Sequence, residues 1–193
     1  MNKEITSLCA GQLNPAVQRE LLFVGSRTNL LAYDVEENTD LFDIEVPDGV
    51  LTLEFNPVSS IQKPVVVAGG NCSITWFDLK AESRFWAANS DIVSALELID
   101  FSGRGDDELL VGSNDYCIRV FREEDCVAEF EESNKITFLS TMRDPVFGFS
   151  LPKACGVYQK DNLLWKEKTV NRVSALMGLD FEQDGTLELL VGY

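Results

Sequence analysis

One nine-residue stretch carries the densest set of possible ligands in the chain. Asp180-Phe181-Glu182-Gln183-Asp184-Gly185-Thr186-Leu187-Glu188 offers oxygen ligands at its first, third, fifth and ninth positions, with glycine at the sixth. Oxygen clusters at such short spacing suit a hard cation such as calcium. The equivalent stretch in an earlier repeat, Asp100 to Glu108, puts Arg104 at the fifth position, where a cation would meet a like charge. The loops at 13–20 (LNPAVQRE) and 55–63 (FNPVSSIQK) have no acidic ladder at all. The same Asp and Gly residues also suit a polar β-turn. A cation loop and a structural turn therefore both stand at 180–188, and no metal ligand is assigned.

Other chemistry finds less support. The chain contains no histidine. That removes the usual general base, every Ser–His or Cys–His pair, and imidazole as a metal ligand. The five cysteines, Cys9, Cys72, Cys117, Cys126 and Cys155, are odd in number and form no CxxC pair. They are expected to be reduced, mostly buried thiols. No phosphate-binding loop or dinucleotide fingerprint is present. The chain is expected not to be an enzyme, with no catalytic residue and no cofactor. Arg104-Gly105-Asp106 spells an integrin-recognition tripeptide, and Asn71-Cys72-Ser73 fits a glycosylation sequon. The N-terminus, MNKEITSLCAGQ, has no apolar core of a signal peptide. On that reading the tripeptide is coincidental, the sequon stays unmodified and the chain is cytoplasmic.

The elements that must position these loops recur along the chain. LLFVGS at 21–26, VVVAGG at 65–70, LLVGS at 109–113 and LLVG at 189–192 end on Gly25, Gly69, Gly112 and Gly192, with a weaker copy at Phe147-Gly148. A period of roughly 40–45 residues built from short apolar runs marks propeller blades. Each unit reads as four short strands. The best defined runs from Ile92 through Glu108–Gly112 and Tyr116–Phe121 to Cys126–Phe130. A glycine ending each second strand implies either a positive φ or a close backbone approach. Phe42, Trp86, Phe130 and Trp165 lie 17 or 18 residues beyond the glycine anchors. They are expected to be core aromatics of the outer strands, with Trp86 or Trp165 to Ala costing on the order of 3–5 kcal/mol.

The fold expected is all-β: a partial β-propeller outside the WD40 family, since neither a Gly-His nor a Trp-Asp dipeptide occurs. Four complete four-stranded blades would span about 4–47, 48–90, 91–133 and 134–170, followed by half of a fifth at 171–193. Such a chain reads as a fragment of a longer ring, able to self-associate through open blade edges. The net charge is −16, with acidic clusters at Glu36, Glu37, Asp40, Asp43, Glu45 and Asp48, at Glu123 to Asp125, and at Glu129 to Glu132. Such a surface repels phosphate, which argues against nucleic acid and against docking on anionic lipid. No run approaches the length of a membrane span. The acidic face is either a solvated surface or a dock for a basic partner.

LNP at 13–15, LLFVGSRTNLLAYDVEENTDLF at 21–42, AGGNC at 68–72, ELLVGSNDYCIRVF at 108–121 and GVYQK at 156–160 together resemble, in one register across the chain, the N-terminal propeller of the Bardet–Biedl syndrome 2 family. The resemblance implies a subunit of the BBSome, a coat-like complex recruited by an Arf-like small GTPase that moves membrane cargo into and out of cilia. It implies a non-catalytic scaffold that pairs with the Bardet–Biedl syndrome 7 protein and contacts the 9 protein. It also implies a location at the cilium, the ciliary base and the ciliary membrane. No catalytic or cofactor residues carry over. The alternative is a calcium-binding adhesion or lectin propeller, whose integrin-type (FG-GAP) loops the 180–188 segment resembles.

Overall fold

The computed structural model describes residues 4–14, 19–57 and 63–193. Those residues form eighteen strands and no helix. The expectation of an unacidic connection at 13–20 and 55–63 falls partly on residues 15–18 and 58–62, which lie outside the described residues. The chain divides into two compact units, residues 1–93 and 94–193.

The first unit holds two four-stranded antiparallel sheets in sequential order. One contains β1 (Ile5–Gly11), β2 (Leu21–Ser26), β3 (Asn29–Asp34) and β4 (Thr39–Glu45). The other contains β5 (Thr52–Asn56), β6 (Val65–Gly69), β7 (Ser73–Phe77) and β8 (Ser83–Ala88). This up-and-down order is that of propeller blades. Every residue of β6 is buried, as a continuous apolar strand covered on both faces should be. Phe23, Leu30, Val50, Val66 and Ala68 lie in one core that joins the two sheets. Phe23 and Phe55 stack with centroids 6.0 Å apart.

The second unit repeats the plan. Its first sheet has β9 (Val93–Ile99), β10 (Glu108–Ser113), β11 (Cys117–Arg122) and β12 (Asp125–Glu131). Its second has β13 (Phe138–Arg143), β14 (Val146–Leu151), β15 (Ala154–Gln159) and β16 (Asn162–Lys168). The third sheet is a pair, β17 (Ala175–Leu179) and β18 (Glu188–Gly192). Phe147 and Phe149, both fully buried, crowd around Tyr158 with centroids 5.5 and 5.2 Å away, and Phe130 lies 5.2 Å from the same ring. The described residues thus form four four-stranded sheets and one two-stranded sheet.

Four of the repeating glycines are explained by a close approach. None of Gly25, Gly69, Gly112 and Gly148 has a positive φ. A methyl group at Gly25 would lie 2.6 Å from Val50 Cγ1, one at Gly69 would lie 2.5 Å from Val93 Cγ1, and one at Gly112 would lie 2.5 Å from Ile136 Cγ2. Carbon atoms in contact sit about 3.5–4.0 Å apart. The glycine is therefore a hole, and the β-branched residue entering the next blade is the knob that fills it. At Gly148 the filling residue is Leu189, whose Cδ1 would be 2.3 Å from such a methyl.

Two expectations fail here. Trp86 and Trp165 are not core residues: they are 55% and 44% exposed. Phe42 and Phe130 do pack on the cores, each only half-buried. The reason is register. In all four blades a β-bulge interrupts the third–fourth strand pairing, just after Ala32, Trp76, Val120 and Val157. The residues opposite those four positions are Phe42, Phe85, Ala128 and Trp165. Trp86 is thus one residue out of step with Phe42, and a one-residue slip turns a strand side chain to the opposite face. Trp165 is in step, but β16 is exposed along its whole length. The second failure concerns the thiols. Only Cys155 is buried; Cys9 and Cys117 are half-buried, and Cys72 and Cys126 are exposed. The latter two sit in the Gly-Gly-Asn-Cys turn and on an outer strand, where neighbouring chain covers only one side.

Candidate interaction surface

The two loops with acidic residues share one internal hydrogen-bond plan. In the second unit, Asp180 accepts the amides of Asp184 at 3.0 Å and Gly185 at 2.9 Å, and Glu188 accepts the amide of Phe181 at 2.8 Å. Asp100 likewise accepts the amides of Arg104 at 2.9 Å and Gly105 at 2.8 Å, and Glu108 accepts the amide of Ser102 at 2.9 Å. Gly105 and Gly185 both have positive φ, 83° and 85°. The fifth position contributes its backbone N–H in both loops, and Asp184 Oδ1 also accepts the Thr186 amide at 2.8 Å. Asp180, Asp184 and Glu188 accept backbone amides of their own turn, as Asx-type loops do. The amide of Gly105, with those of Arg104 and Gly103, holds the Asp100 carboxyl below its ordinary pKa. Among the described residues no three His, Cys, Asp or Glu side chains converge on a point that could hold a metal ion.

The buried charges are committed in the same way. Burial works against ionisation of Glu108, but Ser102 and the Arg122 guanidinium, 2.5 Å away, outweigh it and lower its pKa. Arg119 bridges Asp115 at 2.6 Å and Glu129 at 2.7 Å. Glu132 accepts the Tyr158 hydroxyl at 3.0 Å and pairs with Lys166. Burial, then that bond to Glu132, pushes the Tyr158 phenol well above its usual range. Asp78 receives the Arg84 guanidinium and the amides of Lys80 and Glu82. Buried ions so paired hold registers and turns.

The Gly-Gly-Asn-Cys turn is also a structural clamp. Asp48 Oδ2 accepts the Cys72 amide at 2.8 Å and the Ser73 hydroxyl at 2.7 Å. The Asp48 carbonyl accepts the Asn71 side-chain amide at 2.7 Å. Gly70 has no space for a side chain, because a methyl there would lie 2.6 Å from Asp48 Oδ2. The sequon asparagine thus ties the first blade's exit to the second blade. Arg104, Gly105 and Asp106 lie exposed in their loop.

The outer strands carry the exposed acidic clusters. On β4 the residues Asp40, Asp43 and Glu45 are exposed, while Phe42 and Ile44 turn inward. On β12, Asp125, Glu129 and Glu131 are exposed, while Ala128 and Phe130 turn inward. Both are edge strands of their sheets. Carboxylates at alternate positions discourage indiscriminate strand addition and favour a basic partner surface. Sequence reasoning found the acidic clusters but not their alternation with inward aromatics, which the strand register alone reveals. Among the described residues no helix is long and apolar enough to cross a membrane.

The family model for the middle region of ciliary BBSome complex subunit 2 matches residues 95–193, and the model for its N-terminal region matches residues 1–56. The BBSome complex member BBS2 of Danio rerio and that of Homo sapiens are each 40% identical to the chain over all of its length. The Caenorhabditis elegans member bbs-2 is 30% identical over 87% of it. The chain spans 27% of the zebrafish and human proteins, about a quarter of their length. Among solved structures, BBS1N, crystallised in complex with ARL6DN, aligns with a TM-score of 0.80 at 10% identity, covering 99% of this chain and 64% of that one. The WD40 β-propeller domain of Doa1 aligns at 0.72 with 15% identity, covering 96% and 68%. At such identities the likeness is one of fold, and it makes the five sheets a partial β-propeller. With a family model spanning residues 95–193 and propeller blades throughout, the chain belongs to the BBSome complex subunit 2 family.

Proposed function

We propose that this chain is a non-catalytic propeller scaffold of a BBSome subunit and supports trafficking of ciliary membrane proteins. The observation that carries the reading is 40% identity to fish and human BBSome members along the entire chain. Three features support a scaffold over an enzyme. Asp78, Glu108, Arg119 and Glu132 are each held in ion pairs within their own blade or with the next one. The chain has no histidine. The exposed charge lies on outer strands that the blades hold rigid, where it can set the orientation and on-rate of a partner more than its affinity. Other BBSome subunits are the partners, the Bardet–Biedl syndrome 7 and 9 proteins among them. The protein works in the cytoplasm, at the ciliary base and at the ciliary membrane as part of that complex, without inserting into lipid or binding nucleic acid. Affinity purification from ciliated cells of the protein containing this chain tests the reading. Recovery of other BBSome subunits, with the 7 and 9 proteins among those cross-linked to residues 1–193, is the expected result. A clean preparation that lacks every such subunit would overturn it.

A further inference from the structure

One cavity in the first unit reverses the sign of the chain's surface. It has a volume of about 350 Å³ and lies where residues just beyond β1, just before β6 and in the β7–β8 turn come together. Leu13, Pro64 and Leu79 supply its apolar wall. Leu13 is 2% exposed, Pro64 is buried and Leu79 packs on the core that joins the two sheets, so this wall is the end of that core. Lys63, Lys80 and Arg84 supply its positive charge, and Asp78 is its one carboxylate. The chain as a whole has 32 acidic against 16 basic residues, so three cations around one cavity run against its composition.

The turn holds these cations in place. Asp78, its side chain 9% exposed, accepts the amides of Lys80 at 2.9 Å and Glu82 at 3.0 Å, and its carbonyl accepts the amide of Ala81 at 2.9 Å. Arg84 Nε donates to the same carboxylate at 2.7 Å, and Nη2 pairs with both Asp78 and Glu82. Asp78 is therefore committed, while Lys80 is exposed and makes no ion pair among the described residues. The first blade builds the same turn with the opposite charge. Asp34 there accepts the amides of Glu36 and Glu37, so Glu36 stands where the second blade has Lys80. The fold of the turn does not require a lysine. The strand that leaves it differs in the same sense: β8 has no acidic residue, whereas β4 and β12 have three each.

We infer that this cavity docks an acidic peptide segment of a partner protein. One large apolar side chain of the segment lies against Leu13, Pro64 and Leu79, and its flanking carboxylates meet Lys63, Lys80 and Arg84. The volume is at the low end of the roughly 300–1,000 Å³ of ligand sites, which suits a single anchoring side chain with its adjoining backbone. The apolar wall favours a segment with such an anchor over a bare anion, and the rim sets the sign of its charge. The chain's distant carboxylates do not cancel this attraction, because charges more than about 8 Å away are largely screened at physiological salt. The site is separate from the acidic outer strands, and its test needs no other subunit.

Fluorescence anisotropy on the 193-residue chain tests the inference, with a short labelled peptide that places one phenylalanine between runs of glutamate. Saturable binding tighter than about 1 mM is the expected result. Replacing the peptide's phenylalanine with alanine should weaken it about tenfold or more. Lys80→Glu should weaken it about fivefold or more, and Lys63→Glu gives a second variant at another exposed residue of the rim. Lys135→Glu, the same change of charge in the second unit, should leave binding unchanged. Circular dichroism confirms that the variants keep the wild-type fold. No saturation up to about 1 mM overturns the inference. So does equal binding of the alanine peptide, an equal loss in Lys135→Glu, or equally tight binding of a single-stranded oligonucleotide, which would make the rim a patch for any anion.

Discussion

Adding a single methyl group at Gly112 should destabilise the second unit, and trimming Ile136 should take most of that cost away. Gly112 and Ile136 are both buried, and the new Cβ would sit 2.5 Å from Ile136 Cγ2 and 2.9 Å from its Cβ. That is about 1 Å inside ordinary carbon–carbon contact. Overpacking of this kind costs roughly 1–3 kcal/mol. Replacing glycine in a strand returns about 0.5–1 kcal/mol of chain entropy, so Gly112→Ala should cost about 1–2 kcal/mol net. Ile136→Ala alone should cost about 2–5 kcal/mol, through lost burial and the cavity left behind. In the double variant the methyl enters space that the isoleucine has vacated. The double variant should therefore be no less stable than Ile136→Ala, giving a coupling of at least about 1 kcal/mol in favour of the pair. Urea titrations followed by circular dichroism measure all four corners of the cycle. Gly192→Ala is the milder comparison, because its methyl would meet Ala175 Cβ at 3.2 Å rather than 2.5 Å, and it should cost less than Gly112→Ala. A neutral Gly112→Ala, or costs that simply add, would refute knob-into-hole packing between blades.

Three further outcomes are expected. Trp76 is 4% exposed and meets Phe85 edge to face at 6.2 Å, whereas Trp86 and Trp165 are about half exposed. Urea unfolding of the three alanine variants should show Trp76→Ala costing about 3–5 kcal/mol and the other two each under about 1 kcal/mol. Burial lifts Glu54 from its ordinary 4.5 to about 7, with its own strand's Phe55 amide pulling the other way. Its folded state then holds a proton that the unfolded state releases, so stability should fall as pH rises from about 4.5 to about 7, by about 3 kcal/mol at most. Glu54→Gln should flatten that slope in melts across the range; a slope that persists would assign it to another group. Because backbone amides occupy the carboxylates of Asp180, the melting midpoint should be the same in calcium and in chelator. A calcium-dependent rise would restore the cation-loop reading of 180–188.

The repeat was legible in the sequence because each blade meets its neighbour through the same close approach. That geometry demands glycine at a fixed place, so Gly25, Gly69 and Gly112 recur at nearly constant spacing. The outer strands were misread where spacing stops reporting direction. Phe42 lies 17 residues beyond Gly25, but its counterpart Phe85 lies 16 beyond Gly69, because the turns before β4 and β8 differ by a residue. Trp86 kept the spacing and lost the face. The acidic loops were left open between a cation site and a turn for another reason. Asp180 and Glu188 are placed as a ligand set would be, but whether carboxylates face a cation or their own backbone depends on the turn, which φ of 59° at Gln183 and 85° at Gly185 closes inward. The fate of Glu132 was hidden altogether, since its partners Tyr158 and Lys166 lie 26 and 34 residues away.

The scaffold role is tested most directly by a chimera. The part of human BBS2 that this chain matches is replaced with its 193 residues, and the tagged chimera is expressed in ciliated cells that lack the native protein. If the blades supply the surfaces that other subunits read, the chimera sediments with the assembled complex in the same proportion as human BBS2. A chimera that folds and accumulates normally, yet sediments apart from every other subunit, would contradict the assignment.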